Sequence, residues 1–204
     1  NSDDDTGIII NDLEKKFKNI KVISNNKNYG AGRSLEIGIN AALESSFYYL
    51  VKIDGDNQFK NTNILDMLEK AENSNASFVK ADRFWKEGIE GEIPKIRYFG
   101  NLIATQFLHF ATGSNKIYDP LNGLFGINTK IYENLNDKRY PKRYGYPFFI
   151  SAQAILNDFA TLQINNIIKY DDQVSNIKPY KLLFSLIRQT LFFNRKKYQI
   201  KKLN

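Results

Sequence analysis

Cysteine is absent from the 204 residues, which excludes disulfide stapling and thiol catalysis and says nothing about compartment. Histidine occurs once, as His109, so no zinc site can be built from imidazoles, and this one reads as a helix residue with a local partner. Long hydrophobic runs are missing too. The longest candidate, Leu182 to Phe193, is interrupted by Arg188 and falls short of the ~20 apolar residues that span a bilayer. No internal repeat and no linker marks a second folded unit. What is present argues for one packed domain: 42% hydrophobic residues with 14% aromatics, in a length long enough to bury most of its apolar surface.

Acidic residues are also absent from one end. From Lys178 onward the chain carries Lys178, Lys181, Arg188, Arg195, Lys196, Lys197, Lys201 and Lys202 with no Asp or Glu, so the net charge of +7 resides in this tail. A nucleic-acid surface would spread cations over a folded face, and the rest of the chain is near neutral. The tail is amphipathic: Tyr180, Leu183, Phe184, Ile187 and Leu191 follow helical spacing, while Lys181, Arg188 and Arg195 fall on another face. The expectation is a catalytic unit over 1–177 and a basic amphipathic tail over 178–204. Such a helix is drawn to anionic lipid and lies in the interface.

The most informative segment is Tyr48-Tyr49-Leu50-Val51-Lys52-Ile53 running into Asp54-Gly55-Asp56-Asn57-Gln58. Side chains two apart on extended backbone share a face, so Asp54 and Asp56 can converge on one hard cation, with Gln58 as a further oxygen ligand. A Mg²⁺ or Mn²⁺ ion held this way is normally shared with substrate phosphates. A calcium loop starting at Asp54 fails, because its sixth and twelfth positions are Phe59 and Leu65 rather than Gly and Glu. A plain Asp-Gly-Asp-Asn turn is the other reading. Upstream, Ile20-Lys21-Val22-Ile23-Ser24 reads as a short strand. Asn28-Tyr29-Gly30-Ala31-Gly32-Arg33 then reads as a glycine loop opening a helix through Leu35, Ile39, Ala42 and Leu43. The predicted unit is a parallel crossover with its carboxylates at a strand's C-terminal end, where α/β sheets collect ligands.

Asn28-x-Gly30-x-Gly32 followed by Asp54-Gly55-Asp56-Asn57-Gln58 resembles family 2 glycosyltransferases, in the branch similar to dolichyl-phosphate mannose synthases. The likeness continues in order through Phe78-Val79-Lys80-Ala81-Asp82-Arg83-Phe84, Pro94-x-x-Arg97-x-x-Gly100-Asn101, Asp119-Pro120-x-Asn122-Gly123, Arg143-Tyr144-Gly145-Tyr146 and Tyr170-x-Asp172-x-x-Ser175-Asn176. It implies an α/β GT-A fold, a Rossmann-like mixed sheet flanked by helices. Family members open with a strand, a helix and a strand ending in paired aspartates. This chain starts as though halfway into that motif, with Ser2, Asp4 and Thr6 matching its second half.

The resemblance implies an inverting, metal-dependent transfer from a nucleotide-sugar. Ser2, Asp4, Asn28, Gly30, Arg33 and Asp54 would serve the donor, and Asp54, Asp56 and Gln58 the metal. Arg83, Arg97 and Asn101 would hold an acceptor phosphate, as on a polyprenyl phosphate or another membrane or envelope glycan acceptor. Asn101 stands where the relatives have a serine. Asp119 is the base candidate, because Phe148-Phe149-Ile150-Ser151 carries no carboxylate where many relatives have one. The expected location is cytoplasmic, at the inner face of a membrane. A nucleotidyltransferase on a similar sheet, and a non-catalytic membrane-associated remnant, are the alternatives.

Overall fold

The computed structural model describes residues 4–60, 62–84, 89–90, 94–129, 132, 139–166, 168–169 and 178–203. In chain order these form α1 (Thr6–Lys16), α2 (Ala31–Leu43), β1 (Tyr49–Lys52), α3 (Thr62–Asn73), β2 (Phe78–Asp82), β3 (Ile89–Glu90), α4 (Lys95–Thr112), β4 (Phe125–Asn128), α5 (Tyr146–Leu156), β5 (Thr161–Asn165), β6 (Ile168–Lys169) and α6 (Pro179–Leu203). The main sheet runs β1-β4-β2-β5 and the short β3 and β6 pair separately. β4 lies antiparallel between β1 and β2, whereas β2 and β5 are parallel. This is the mixed α/β sheet that the resemblance implies.

Alternation along the central strand sorts the core into two layers. On one side Phe78 of β2 packs with Phe125 and Ile127 of β4 against Ile39 of α2, Leu108 of α4, Phe148 and Phe149 of α5 and Phe193 of α6. On the other, Val79 and Ala81 join Ile164, Met67 and Ala71, so α3 covers that face. Each of these large side chains contributes roughly 2 kcal/mol by leaving water. Hydrophobic all round, α5 is accordingly enclosed, with Tyr146 through Ala154 all buried. Its entry turns on Gly145 at φ +85°, and a β-carbon there would press on Gln189 of α6.

Ile20–Ser24 is not a strand. The segment is irregular, Ile20 and Ile23 are exposed, and the Val22 N–H is taken by the Glu14 side chain at 2.7 Å. β-Branched residues favour extended backbone, but a strand exists only beside a neighbour. Among the described residues β1 is laddered to β4 alone. The predicted parallel crossover is therefore replaced by an antiparallel pairing. An apolar cleft of about 540 Å³ runs along β1, lined by Leu35, Ile39, Ala42, Leu50, Ile53 and Phe125 among others.

Candidate active site

Asp54 leaves β1 directly and lodges against the turn that precedes β4. The space a β-carbon would occupy on Gly123 is filled by an Asp54 carboxylate oxygen and the Lys52 ammonium. That turn is rigid. Asn122 is fully buried; its amide donates to the Ala81 carbonyl at 2.9 Å, and its oxygen accepts from the Leu124 N–H at 2.9 Å. Lys52 pairs with Asp54 and lies over the Tyr146 ring. Asp56 is exposed, and the Gln58 N–H donates to its carboxylate at 3.3 Å. Asp54 and Asp56 lie beyond the end of β1, which stops at Lys52, and the segment between Asp54 and Gln58 bends rather than staying extended.

Asp119, the base candidate, is fully buried and grips Arg83. The Arg83 Nε and Nη2 donate to its two oxygens at 2.7 and 2.8 Å, and the Arg83 backbone N–H adds a third bond at 3.0 Å. The fork is bidentate, and with the backbone bond it engages both carboxylate oxygens. Asp119 is thereby enclosed, with no exposed surface to offer a hydroxyl in this arrangement, and Arg83 commits its Nε and Nη2 to it. The segments that carry Arg83 and Arg97 adjoin, because the next residues, Phe84 and Tyr98, meet ring edge to ring at 5.8 Å. Arg97 is half-buried, whereas Asn101 is buried and donates to the Tyr118 carbonyl at 2.9 Å. One turn of α4 separates Asn101 from Arg97, and the Asn101 Oδ1 is buried without a hydrogen-bond partner among the described residues.

The glycine loop has a different task from the one its sequence suggests. The N–H groups of Gly32 and Arg33 donate to the carbonyls of Arg143 and Lys142 at 3.2 and 2.8 Å, so the start of α2 is sealed by chain rather than open to phosphate. The Asn28 side chain accepts from the Gly30 N–H at 3.1 Å and shapes the turn. Arg33 binds Glu36 at 2.7 Å and Lys142 binds it at 3.0 Å. Burial alone would raise the Glu36 carboxyl, but those two cations outweigh it and hold the group below the usual carboxylate range. Asp4 lies exposed before α1, its pKa lowered by the Thr6 hydroxyl and N–H, while Ser2 lies outside the described residues. His109 bonds the Ile117 carbonyl at 2.9 Å, a local partner as expected.

Lys80 is the residue that sequence reasoning passed over. It sits in the middle of a fully buried strand, donates to the Asn122 carbonyl and lies over the Phe125 ring. Its signal was legible as one lysine inside an otherwise apolar run. Burial drives its pKa down to about 7; Asp119 and Asp54 oppose that drop, and Arg83 and Lys52 reinforce it. Between about pH 7 and its ordinary range, the unfolded chain binds a proton that the folded chain does not. Stability should therefore rise with pH through that window, by at most ~1.4 kcal/mol per unit. Urea unfolding at about pH 7 and about pH 9 tests this: the wild type gains on Lys80→Met as pH rises, and a constant difference refutes the assignment.

The pattern for glycosyl transferase family 2 matches residues 1–135. The chain belongs to this family. An uncharacterized protein of Methanocaldococcus jannaschii is 28% identical over 196 residues, covering 94% of this chain and 83% of that protein. Glucosyl-3-phosphoglycerate synthase from Mycobacterium tuberculosis, solved with uridine diphosphate, superposes with a TM-score of 0.61 at 16% identity over 93% of this chain. The same enzyme solved with Mn²⁺, UDP-glucose and phosphoglyceric acid gives 0.61 at 15% identity. The family 2 chain spans 66% of the length of those two structures, and at such identity they show a shared fold. Among the described residues no cluster of three or more acidic, histidine or cysteine side chains is placed to hold a metal. Two exposed carboxylates and an amide suit a hard cation that takes its remaining ligands from a bound diphosphate.

Proposed function

We propose that this chain carries the catalytic unit of an inverting, metal-dependent glycosyltransferase using a nucleoside-diphosphate sugar. The acceptor is a polyprenyl phosphate or another membrane or envelope glycan, met at the inner face of a membrane, as in the dolichyl-phosphate mannose synthase-like branch. The observation that carries this reading is the meeting of Asp54 with Gly123, which brings that carboxylate onto the same turn as the buried Asp119–Arg83 pair. Asp54, Asp56 and Gln58 would hold Mg²⁺ or Mn²⁺, whose positive charge stabilises the departing diphosphate. Lys52, already paired with Asp54, supplies a second cation at the same edge.

Asp119 is best read as a positioning residue, since its three bonds fix the angle of Arg83. That suits a phosphate acceptor, which arrives ionised and needs no base. Arg83 and Arg97 then flank the acceptor and Asn101 braces the helix beneath. Ser2 and Asp4 would serve the donor, as the resemblance implies, while Asn28, Gly30 and Arg33 act indirectly by seating α2 on residues 141–143.

Calorimetry with UDP-glucose as probe, with and without Mn²⁺, tests the donor site. Binding should require the metal and weaken at least tenfold in Asp56→Ala. Equal binding by the variant, or no metal-dependent binding by the wild type, would overturn the reading.

A further inference from the structure

Two helices of this chain present apolar side chains to solvent with cations and without a single carboxylate. α6 buries Leu186, Gln189, Thr190 and Phe193 along one face, the expected helical spacing for docking on the core. The other face exposes Tyr180, Phe184, Ile187, Leu191 and Tyr198, with Phe184 72% exposed. α4 does the same with Ile96, Phe99, Ile103 and Phe110. Neither helix contains an Asp or Glu, while Lys95, Arg97, Lys181, Arg188, Arg195, Lys196, Lys197, Lys201 and Lys202 all lie on them.

The two exposed rows are joined. The Lys197 ammonium donates to the Phe110 carbonyl at 2.7 Å and stands 5.6 Å from the centre of the Phe110 ring, tying α6 to the C-terminal end of α4. Farther along α6 lies a cleft of about 530 Å³, floored by Phe184, Ile187, Leu191 and Phe192 and rimmed by Arg139, Arg188, Arg195 and Lys196. The Arg139 guanidinium is stacked on Phe192, 3.7 Å from the ring centre. An apolar floor under four cationic groups matches an amphipathic anion with a phosphate at one end and hydrocarbon at the other.

Surfaces of this kind leave few candidate occupants. Soluble monomers rarely leave so many large apolar side chains together without a partner. A nucleic acid would use the cations but gain nothing from Ile, Leu and Phe in this density, and an aqueous polyanion gives them no escape from water. A bilayer satisfies both, with Lys and Arg stems lying along the headgroups while the rings enter the acyl boundary. No helix among the described residues is long and apolar enough to cross a membrane, so an in-plane orientation is the one the composition allows.

We infer that α4 and α6 form one membrane-docking face, and that the cleft rimmed by Arg139, Arg188, Arg195 and Lys196 seats the phosphate of an anionic lipid. This docking face rests on the peripheral-membrane part of the proposed function alone. Vesicle binding in the absence of nucleotide and metal therefore separates its failure from failure of the transfer chemistry. Each cation near an anionic surface strengthens attachment severalfold, and the apolar side chains add a contribution that salt does not screen.

The experiment is co-sedimentation with phosphatidylcholine vesicles, with and without phosphatidylglycerol. The wild type should bind only the anionic vesicles. Arg188→Glu with Arg195→Glu should weaken binding about tenfold or more, the size expected for reversing two charges at the surface. Phe184→Ser with Leu191→Ser should abolish the part that survives high salt. All four positions are exposed, so unchanged circular dichroism melting certifies each fold. No binding of wild type to anionic vesicles, or wild-type binding by both double variants, overturns the proposal. So does stoichiometric binding of inorganic phosphate by calorimetry, which would make the cleft a site for a soluble anion.

Discussion

Arg83→Met should destabilise the fold by about 3–5 kcal/mol, the usual cost of stripping one partner from a buried ion pair. Asp119 has no exposed surface, and three of its bonds come from Arg83. The backbone bond would survive, but a carboxylate would be left in the core facing a hydrocarbon side chain. Burial of Asp82 nearby makes matters worse; its pKa is already raised chiefly by desolvation, with Asp119 adding to the rise. A second variant separates the missing arginine from the stranded charge. Arg83→Met combined with Asp119→Leu should recover much of the loss, since apolar replacement of both partners is frequently neutral. Urea unfolding measures all three proteins. A loss below ~1 kcal/mol in the single variant would mean that water reaches Asp119 and that the pair is a surface contact.

Gly32→Ala should cost about 3 kcal/mol, while Gly38→Ala on the same helix should gain ~0.5–1 kcal/mol. The two glycines sit in α2 with opposite surroundings. A β-carbon on Gly32 would come within 2.0 Å of the Pro141 carbonyl oxygen, a backbone atom that cannot swing aside, whereas nothing lies within 4 Å of one on Gly38. Forcing that gap open also pulls apart the bonds from Gly32 and Arg33 to Arg143 and Lys142. Alanine at Gly38 meets none of this and simply lowers the entropy of the unfolded helix. Thermal or urea unfolding of both variants checks the sign of each change. Two substitutions of the same sign would mean that α2 does not dock on residues 141–143.

These contrasts show where local pattern was enough and where it was not. Asp54 following a strand end and the amphipathic character of α6 both follow from short-range spacing, and both are present. Ile20–Ser24 has the residues of a strand and no strand beside it, a condition no window of sequence reports. Arg83 and Asp119 each read as reactive groups when considered singly. Their bidentate bond joins segments far apart in the chain, and only the fold reveals that each occupies the other. The Gly30–Arg33 loop has the composition of a phosphate cradle, yet it is filled by carbonyls from a loop a hundred residues later. The partner of Asn101 is likewise remote, since its amide donates to the Tyr118 carbonyl.

The strand order also bears on how this chain is made. Among the described residues every ladder of the β1-β4-β2-β5 sheet joins segments far apart in the chain: Lys52 faces Phe125, Lys80 faces Phe125, and Asp82 faces Asn165. None of these ladders is a tight hairpin. The β1–β4 and β2–β4 ladders cannot close until β4 emerges from the ribosome, and the β2–β5 ladder cannot close before Asn165 has been added. Such non-local pairing folds slowly and keeps apolar segments such as Phe78–Ala81 exposed during synthesis. Slow translation or chaperone capture over that interval should thus govern the yield of folded protein more than the stability of the finished sheet does.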